Sequence, residues 1–192
     1  MTDYRRSLVP GGTFFFTVNI ADRRQTLLTT HIDQLRAAFR HARQRHPFTI
    51  DAIVVLPDHL HAIWTLPEGD CDFSTRWRLI KSAFSRRLSV AEQVTQSRLG
   101  KSERGIWQRR YWEHAIRDED DLHRHLDYVH FNPVKHRYVN RACDWPYSSF
   151  PLMVRRGFYP EDWGGDMRAV PSGFGERRWV SLRSTHPTSS AP

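Results

Sequence analysis

The sequence predicts an α+β fold of the ferredoxin-like, split βαβ type: an antiparallel four-stranded sheet with helices on one face, plus an additional helix carrying Tyr128. Three observations lead there. Short apolar or β-branched runs that read as strands occur four times, and two stretches between them repeat apolar residues at three and four. A third helical stretch closes the series. The order strand, helix, strand, strand, helix, strand, helix matches the split βαβ plan in its first six members.

Thr13 to Ile20, rich in Phe, Thr and Val after Gly11-Gly12, reads as the first strand. From His31 to Arg45, Ile32, Leu35, Ala38, Phe39 and Ala42 fall on one helical face, and Pro47 ends the helix. Phe48 to Leu56 and Leu60 to Leu66 are two strands joined at the Pro57-Asp58 turn. After the Pro67-Asp70 turn, Ser74 is a suitable cap for a helix with Trp77, Ile80, Lys81, Phe84 and Leu88 at helical spacing. Residues 90–104 lack an apolar period and read as a mobile loop. Trp112 to Arg117 is a short fourth strand. Asp118 to Asp121 is an acidic helix start, followed by Leu122, Leu126 and Val129, with termination expected at Asn132-Pro133. Beyond that, the aromatic blocks 145–150 and 158–165 predict an irregular pinned segment, and 181–192 a disordered tail. The expected organisation is a main domain over 1–150, an irregular extension packed on or near it over 151–180, and the tail.

The longest apolar run is too short to span a membrane, the N-terminus offers no apolar core for a signal peptide, and Cys71 and Cys143 are isolated. A cytoplasmic setting and no membrane partner are expected. The net charge of +8 is local: ten Arg and Lys against two Glu between 76 and 110 make a surplus equal to that of the whole chain. Interleaved with Trp77, Phe84 and Trp107, this stripe suits phosphate contact and stacking on unpaired bases. A solvated helix followed by a loop is the plain alternative.

The run Val54 to Trp64 sets His59 and His61 one residue apart, so a strand points both imidazoles to one face. That is the geometry of a paired metal ligand, or of two polar residues on a half-buried strand. A pair completes no coordination shell, and the best source of a third ligand is Asn132, four residues after Tyr128 on one helix face. A hydroxyl nucleophile and an oxygen ligand would then meet the same ion. Tyr111, beside Trp112, reads as packing. His125 and His114 are accessory candidates that could equally be surface histidines. A nucleic-acid-binding domain of the same fold without catalysis is the rival reading, although His59 and His61 stand where such domains carry surface aromatics.

The blocks Val55 to His61, Gly105 to His114, Asn132 to Lys135 and Trp145 to Ser149, in that order, resemble the REP-associated tyrosine transposases, a Y1-type HUH branch of the IS200-like transposases. The resemblance extends from Tyr4 to Gly165. It implies Tyr128 as catalytic nucleophile and His59, His61 and Asn132 as ligands of Mg2+ or Mn2+, the imidazoles favouring manganese. It further implies cleavage and rejoining of single-stranded DNA at REP-type hairpins, each preceded by a tetranucleotide, by a monomer or homodimer. DNA contacts are expected at Arg5, Arg6, Gly11, Arg76, Arg78, Lys81, Arg86, Arg87, Arg109 and Arg110. The 90–104 loop is longer than the family's, which bears on substrate preference.

Overall fold

A computed structural model describes residues 8–88 and 104–164. Arg5, Arg6, residues 181–192 and nearly all of the 90–104 loop lie outside them. Four strands, β1 (Thr13–Asn19), β2 (Thr49–Val55), β3 (His59–Thr65) and β4 (Trp112–Ala115), pair in the order β2-β3-β1-β4, with every pairing antiparallel. Helices α1 (Leu27–Thr30) and α2 (Ile32–Arg45) follow β1, α3 (Phe73–Arg86) follows β3, and α4 (Glu119–Lys135) follows β4. The α+β, split βαβ expectation is the observed fold.

Strand alternation sends Phe14, Phe16, Val18, Leu60, Ala62 and Trp64 to the face covered by α2 and α3, where Trp64 and Trp77 stack at 4.2 Å. Phe15, Ile63, Ala52 and Val54 point the other way, under Leu126 and Val129 of α4. A register shift between Ile50 and Ala52 lets β2 serve both layers, with Ile50 and Ile53 on the first and Ala52 and Val54 on the second. The sheet is therefore sandwiched, and the tyrosine-bearing helix lies on the histidine face.

Two boundaries differ from expectation. Asp72, not Ser74, caps α3, its side chain accepting from Thr75 N at 2.9 Å. A carboxylate one residue before the helix serves its free N–H groups better than a hydroxyl inside it. Helix α4 runs past Asn132-Pro133 to Lys135, because Val134 is buried with Ala142, Phe150, Met153, Tyr159 and Trp163, and this packing outweighs the missing proline N–H. It stops in a Schellman turn: Arg137 N donates to Val134 O and Tyr138 N to Pro133 O, with Arg137 at φ 60°. Helix α4 thereby carries Lys135 and His136 one turn beyond Asn132.

The β2 edge is sealed by the chain after α4. Val55 N donates to Tyr147 O and Ser149 N to Ile53 O, both at 2.8 Å, while Trp145 Nε1 donates to Val55 O at 3.0 Å. Helix α5 (Phe150–Arg155) spans the 150/151 boundary, and Tyr159 Oη donates to Asp127 Oδ1 at 2.7 Å, tying the segment to α4. Among the described residues no helix is long and apolar enough to cross a membrane.

Candidate active site

His59 and His61 are 4% and 3% exposed, and their side chains share the α4 face of β3. Each ring is fixed through Nδ1. His59 Nδ1 donates to Asp58 Oδ1 at 2.7 Å, with Arg23 Nε bonded to the other carboxylate oxygen at 2.6 Å. His61 Nδ1 meets Thr17 Oγ1 of β1 at 2.9 Å. With Nδ1–H donating to these oxygens, Nε2 of each neutral ring carries the lone pair, the arrangement that metal-binding histidines use. Burial, joined by the nearby positive groups His59, His136, Lys135 and Arg23, pushes His61 down to about 3. Burial also lowers His59, against the opposing pull of Asp58. Both imidazoles are therefore neutral and ligand-competent at ordinary pH.

Helix α4 closes over the pair. Tyr128 stands with its ring 5.1 Å from that of His61 and 5.8 Å from that of Phe15, and remains 39% exposed. Lys135 Nζ lies 4.8 Å from the Tyr128 ring centroid. Asn132 is wholly buried, and among the described residues neither its Oδ1 nor its Nδ2 has a hydrogen-bond partner; His61 Nε2 is also buried without one. Orphaned polar atoms of this kind are costly, roughly 1–3 kcal/mol each, and an oxygen and a nitrogen of ligand type left unmatched fit a hard or borderline divalent ion.

His136, which the sequence reading did not single out, has its ring 5.3 Å from that of His59. The signal was present: Tyr128, Asn132 and His136 continue one four-residue series, hidden only by ending the helix early. Arg23 and Thr17 were likewise missed, since nothing local to either marks it as a support for a distant histidine.

A second histidine group lies across Phe15. His114 Nε2 meets Asp121 Oδ2 at 2.8 Å, His125 Nδ1 meets Asp121 O at 2.7 Å, and the two rings stack at 4.8 Å. Their ligand-type atoms lie within 4.8 Å of one another. Asp121 Oδ2 also accepts from Arg117 N at 3.1 Å, and Arg124 reaches Oδ1 at 3.3 Å. Burial alone would raise this carboxyl, but the His114 bond, the Arg117 N–H and the charges of His114 and His125 hold it well below the usual carboxylate range. Both of its oxygens already accept hydrogen bonds, and the two arginines beside it oppose a cation.

The basic residues divide. Arg78, Lys81, Arg86 and Arg109 line a groove of about 660 Å3 between α3 and residues 104–111, on the sheet side away from the histidines, while Arg87 and Arg110 are exposed. Burial lowers Lys81 to about 8, and its Nζ donates to Gln108 O at 2.9 Å. Arg76 departs from the expected stripe: it is 1% exposed and bonded to Asp72 O, Pro47 O and Asp70 Oδ2, a tie between α3 and the preceding turns. Trp77, Phe84 and Trp107 are buried in the core and offer no faces to bases. Gly11 sits at φ 67° with its N–H bonded to Asp70 O, where an added Cβ would lie 3.3 Å from Glu68 Cα. Tyr111 packs against Phe16, Phe73 and Trp77, as expected.

The profile described as "Transposase IS200 like" matches residues 14–132. The REP-associated tyrosine transposase of Escherichia coli K12 is 48% identical over 173 residues, 90% of this chain and 97% of that one. The chain belongs to the REP-associated tyrosine transposases. A Haemophilus influenzae relative given the same family name is 46% identical over 167 residues, 86% of this chain and 95% of its own. A solved REP-associated tyrosine transposase bound to a REP hairpin superposes with a TM-score of 0.74 at 48% identity, covering 93% of this chain and 99% of that one. The chain is accordingly an enzyme of the tyrosine-dependent DNA endonuclease and strand-transferase kind.

Proposed function

We propose that this protein is a metal-dependent single-stranded DNA endonuclease and strand transferase acting at REP-type hairpins through a 5′-phosphotyrosine on Tyr128. The observation that carries the reading is the meeting of a solvent-accessible Tyr128 ring with His61, whose buried Nε2 is unpartnered, while Asn132, one turn on from Tyr128 in the same helix, is buried and equally unpartnered. His59, His61 and Asn132 would hold Mg2+ or Mn2+. Bound there, the ion supplies Lewis-acid charge to the scissile phosphate. Asp58, Arg23 and Thr17 keep the two imidazoles in the lone-pair-out orientation, and Lys135 adds positive charge beside the nucleophile.

Tyr128 Oη attacks phosphorus, its proton passing to solvent, and the P–O3′ bond breaks. The 5′-phosphate remains on tyrosine, and the leaving oxygen takes up a proton to become a 3′-hydroxyl. A second 3′-hydroxyl reverses the step without nucleotide cofactor, since the number and type of phosphodiester bonds are conserved. The hairpin-bound relative supports a DNA hairpin as partner, and the groove lined by Arg78, Arg86 and Arg109 supplies charge for its backbone. A monomer or homodimer acting in the cytoplasm on hairpins with an adjacent tetranucleotide completes the proposal.

Incubation with 5′- and 3′-labelled REP-type hairpin oligonucleotides and Mg2+ or Mn2+ tests it. A denaturant-resistant adduct with the downstream DNA, mapped to Tyr128 and absent from Tyr128→Phe, is expected. An adduct on another tyrosine, a 3′-phosphate linkage, or full cutting by Tyr128→Phe overturns it.

A further inference from the structure

Beside the nucleophile, on the edge strand of the sheet, an indole stands half in solvent. Trp112 is 50% exposed and lies opposite Thr17 in the β1–β4 register, so it shares the face that carries Thr17 and His61. Its ring is parallel to that of His114, 5° between planes at 5.9 Å, and His114 is in turn stacked on His125 at 16°. Both imidazoles are locked through the buried Asp121. The edge of the stack meets Phe15 at 5.6 Å, and Phe15 is also the ring neighbour of Tyr128 at 5.8 Å.

We infer that Trp112, backed by His114 and His125, is a stacking platform for one unpaired nucleobase next to the scissile phosphate. This rests on the single-strand cleavage reading above and adds a subsite to it. An exposed tryptophan on an edge strand is an unfavourable way to cover a sheet, since it leaves half of a large apolar surface in water. Fixing its backing rings with a 2% exposed carboxylate makes sense when the outer face must be held flat and in one orientation. Because Trp112 and Tyr128 each stand within 6 Å of Phe15, a nucleotide whose phosphate faces Tyr128 has its own base, or its neighbour's, within reach of the indole. Every base has a π face, so the platform selects for an unpaired base without selecting which one. His114, His125 and Asp121 act through Trp112 as positioning residues.

The measurement is an abasic scan. A DNA hairpin with single-stranded arms is prepared with one abasic spacer moved stepwise along each arm, and affinity is measured without divalent ion. Wild type should lose about tenfold at one position flanking the cleavage site and little when that base is exchanged for another. Trp112→Ala should bind the intact oligonucleotide about tenfold more weakly and be indifferent to the spacer at that position, whereas Trp112→Phe should retain most of the penalty. Photocrosslinking of wild-type protein to oligonucleotides carrying 5-iodouracil at the same positions gives a readout independent of how the variants fold, and Trp112 should be the modified residue. An unchanged spacer profile in Trp112→Ala, or crosslinks only at other aromatics such as the exposed Tyr138, overturns the inference. Cleavage of the intact hairpin by wild type, followed alongside, separates this failure from failure of the cleavage reading itself.

Discussion

Two histidine clusters lie on the same face of the sheet, separated by the ring of Phe15, and they have opposite electrostatic economies. Around Asp121 the buried carboxylate is well matched: two histidines, two arginines and a backbone N–H converge on it. Around His61 the supports are complete but the working atoms are bare, with His61 Nε2 and both polar atoms of Asn132 buried and unmatched. Satisfaction marks a cluster built to hold shape, and dissatisfaction marks one built to receive something. The contrast predicts that damage to the first reads out in stability and damage to the second in chemistry.

The largest expected difference is in cleavage rate. His61→Ala should lower it by about a thousandfold or more, since the ion's charge on the phosphate is lost. Some stability goes with the buried ring and its bond to Thr17 Oγ1, so the rate is read on protein shown to be folded. His114→Ala should leave the chemistry largely intact at saturating DNA while weakening binding. Single-turnover rates at saturating oligonucleotide decide this, and equal losses in both variants would erase the distinction between the clusters.

Stability tests the Asp121 cluster directly. Asp121→Asn removes the charge on which α4's first turn converges and turns one of its two acceptor oxygens into a donor, and is expected to cost about 2 kcal/mol, measured by urea unfolding. The screening of the exposed Arg117 and Arg124 keeps the figure below that of a fully buried pair. The pH dependence follows from the same group. The Asp121 carboxyl is held below its unfolded value near 4, so its contribution is complete above that value and is lost as pH falls through the folded one. Wild type should therefore lose stability more steeply in acid than Asp121→Asn. Parallel curves would place the stabilisation elsewhere.

Ligand linkage gives a third comparison. Mn2+ should raise the melting temperature by several degrees at about a hundredfold over Kd, an effect of about 2.7 kcal/mol. His61→Ala should abolish that shift and His114→Ala should keep it. Loss of the shift only in His114→Ala would move the ion to the Asp121 cluster.

What the sequence disclosed follows the same division. The His59-Leu60-His61 spacing and the Tyr128/Asn132 pair are local periodicities, so the proposed ligands and nucleophile could be picked out as candidates along with the order of strands and helices. Supports that come from distant chain were not. Thr17 reaches His61 only through the β1–β3 register, and Arg23 reaches Asp58 only because the turn after β1 lies beside the one after β2. Asp121 looked like one of four acidic residues opening a helix, and Asp118 does cap it, yet Asp121 turns inward to His114. His136 was lost to a proline rule that tertiary packing of Val134 overrides.

The arginines extend the comparison at a smaller scale. Arg76 and Arg86 look alike in a charge plot, yet Arg76 spends its guanidinium on Asp72 O, Pro47 O and Asp70, while Arg86 bonds Ser82 Oγ on the helix surface and lines the groove. Periodicity could not separate them, because a helix with arginines at its flanks does not declare which flank meets a turn. Arg76→Ala should act on folding, leaving the backbone carbonyls and a carboxylate without their donor. Arg86→Ala combined with Arg87→Ala should leave the fold alone and weaken DNA binding several-fold for all sequences alike, lowering the slope of log K against log salt by about 1 to 2 through counterion release. Hairpin titrations at several salt concentrations measure it. An unchanged slope would mean that the DNA backbone follows another surface, and Arg78 on the same helix and Arg109 across the groove would fall with the assignment.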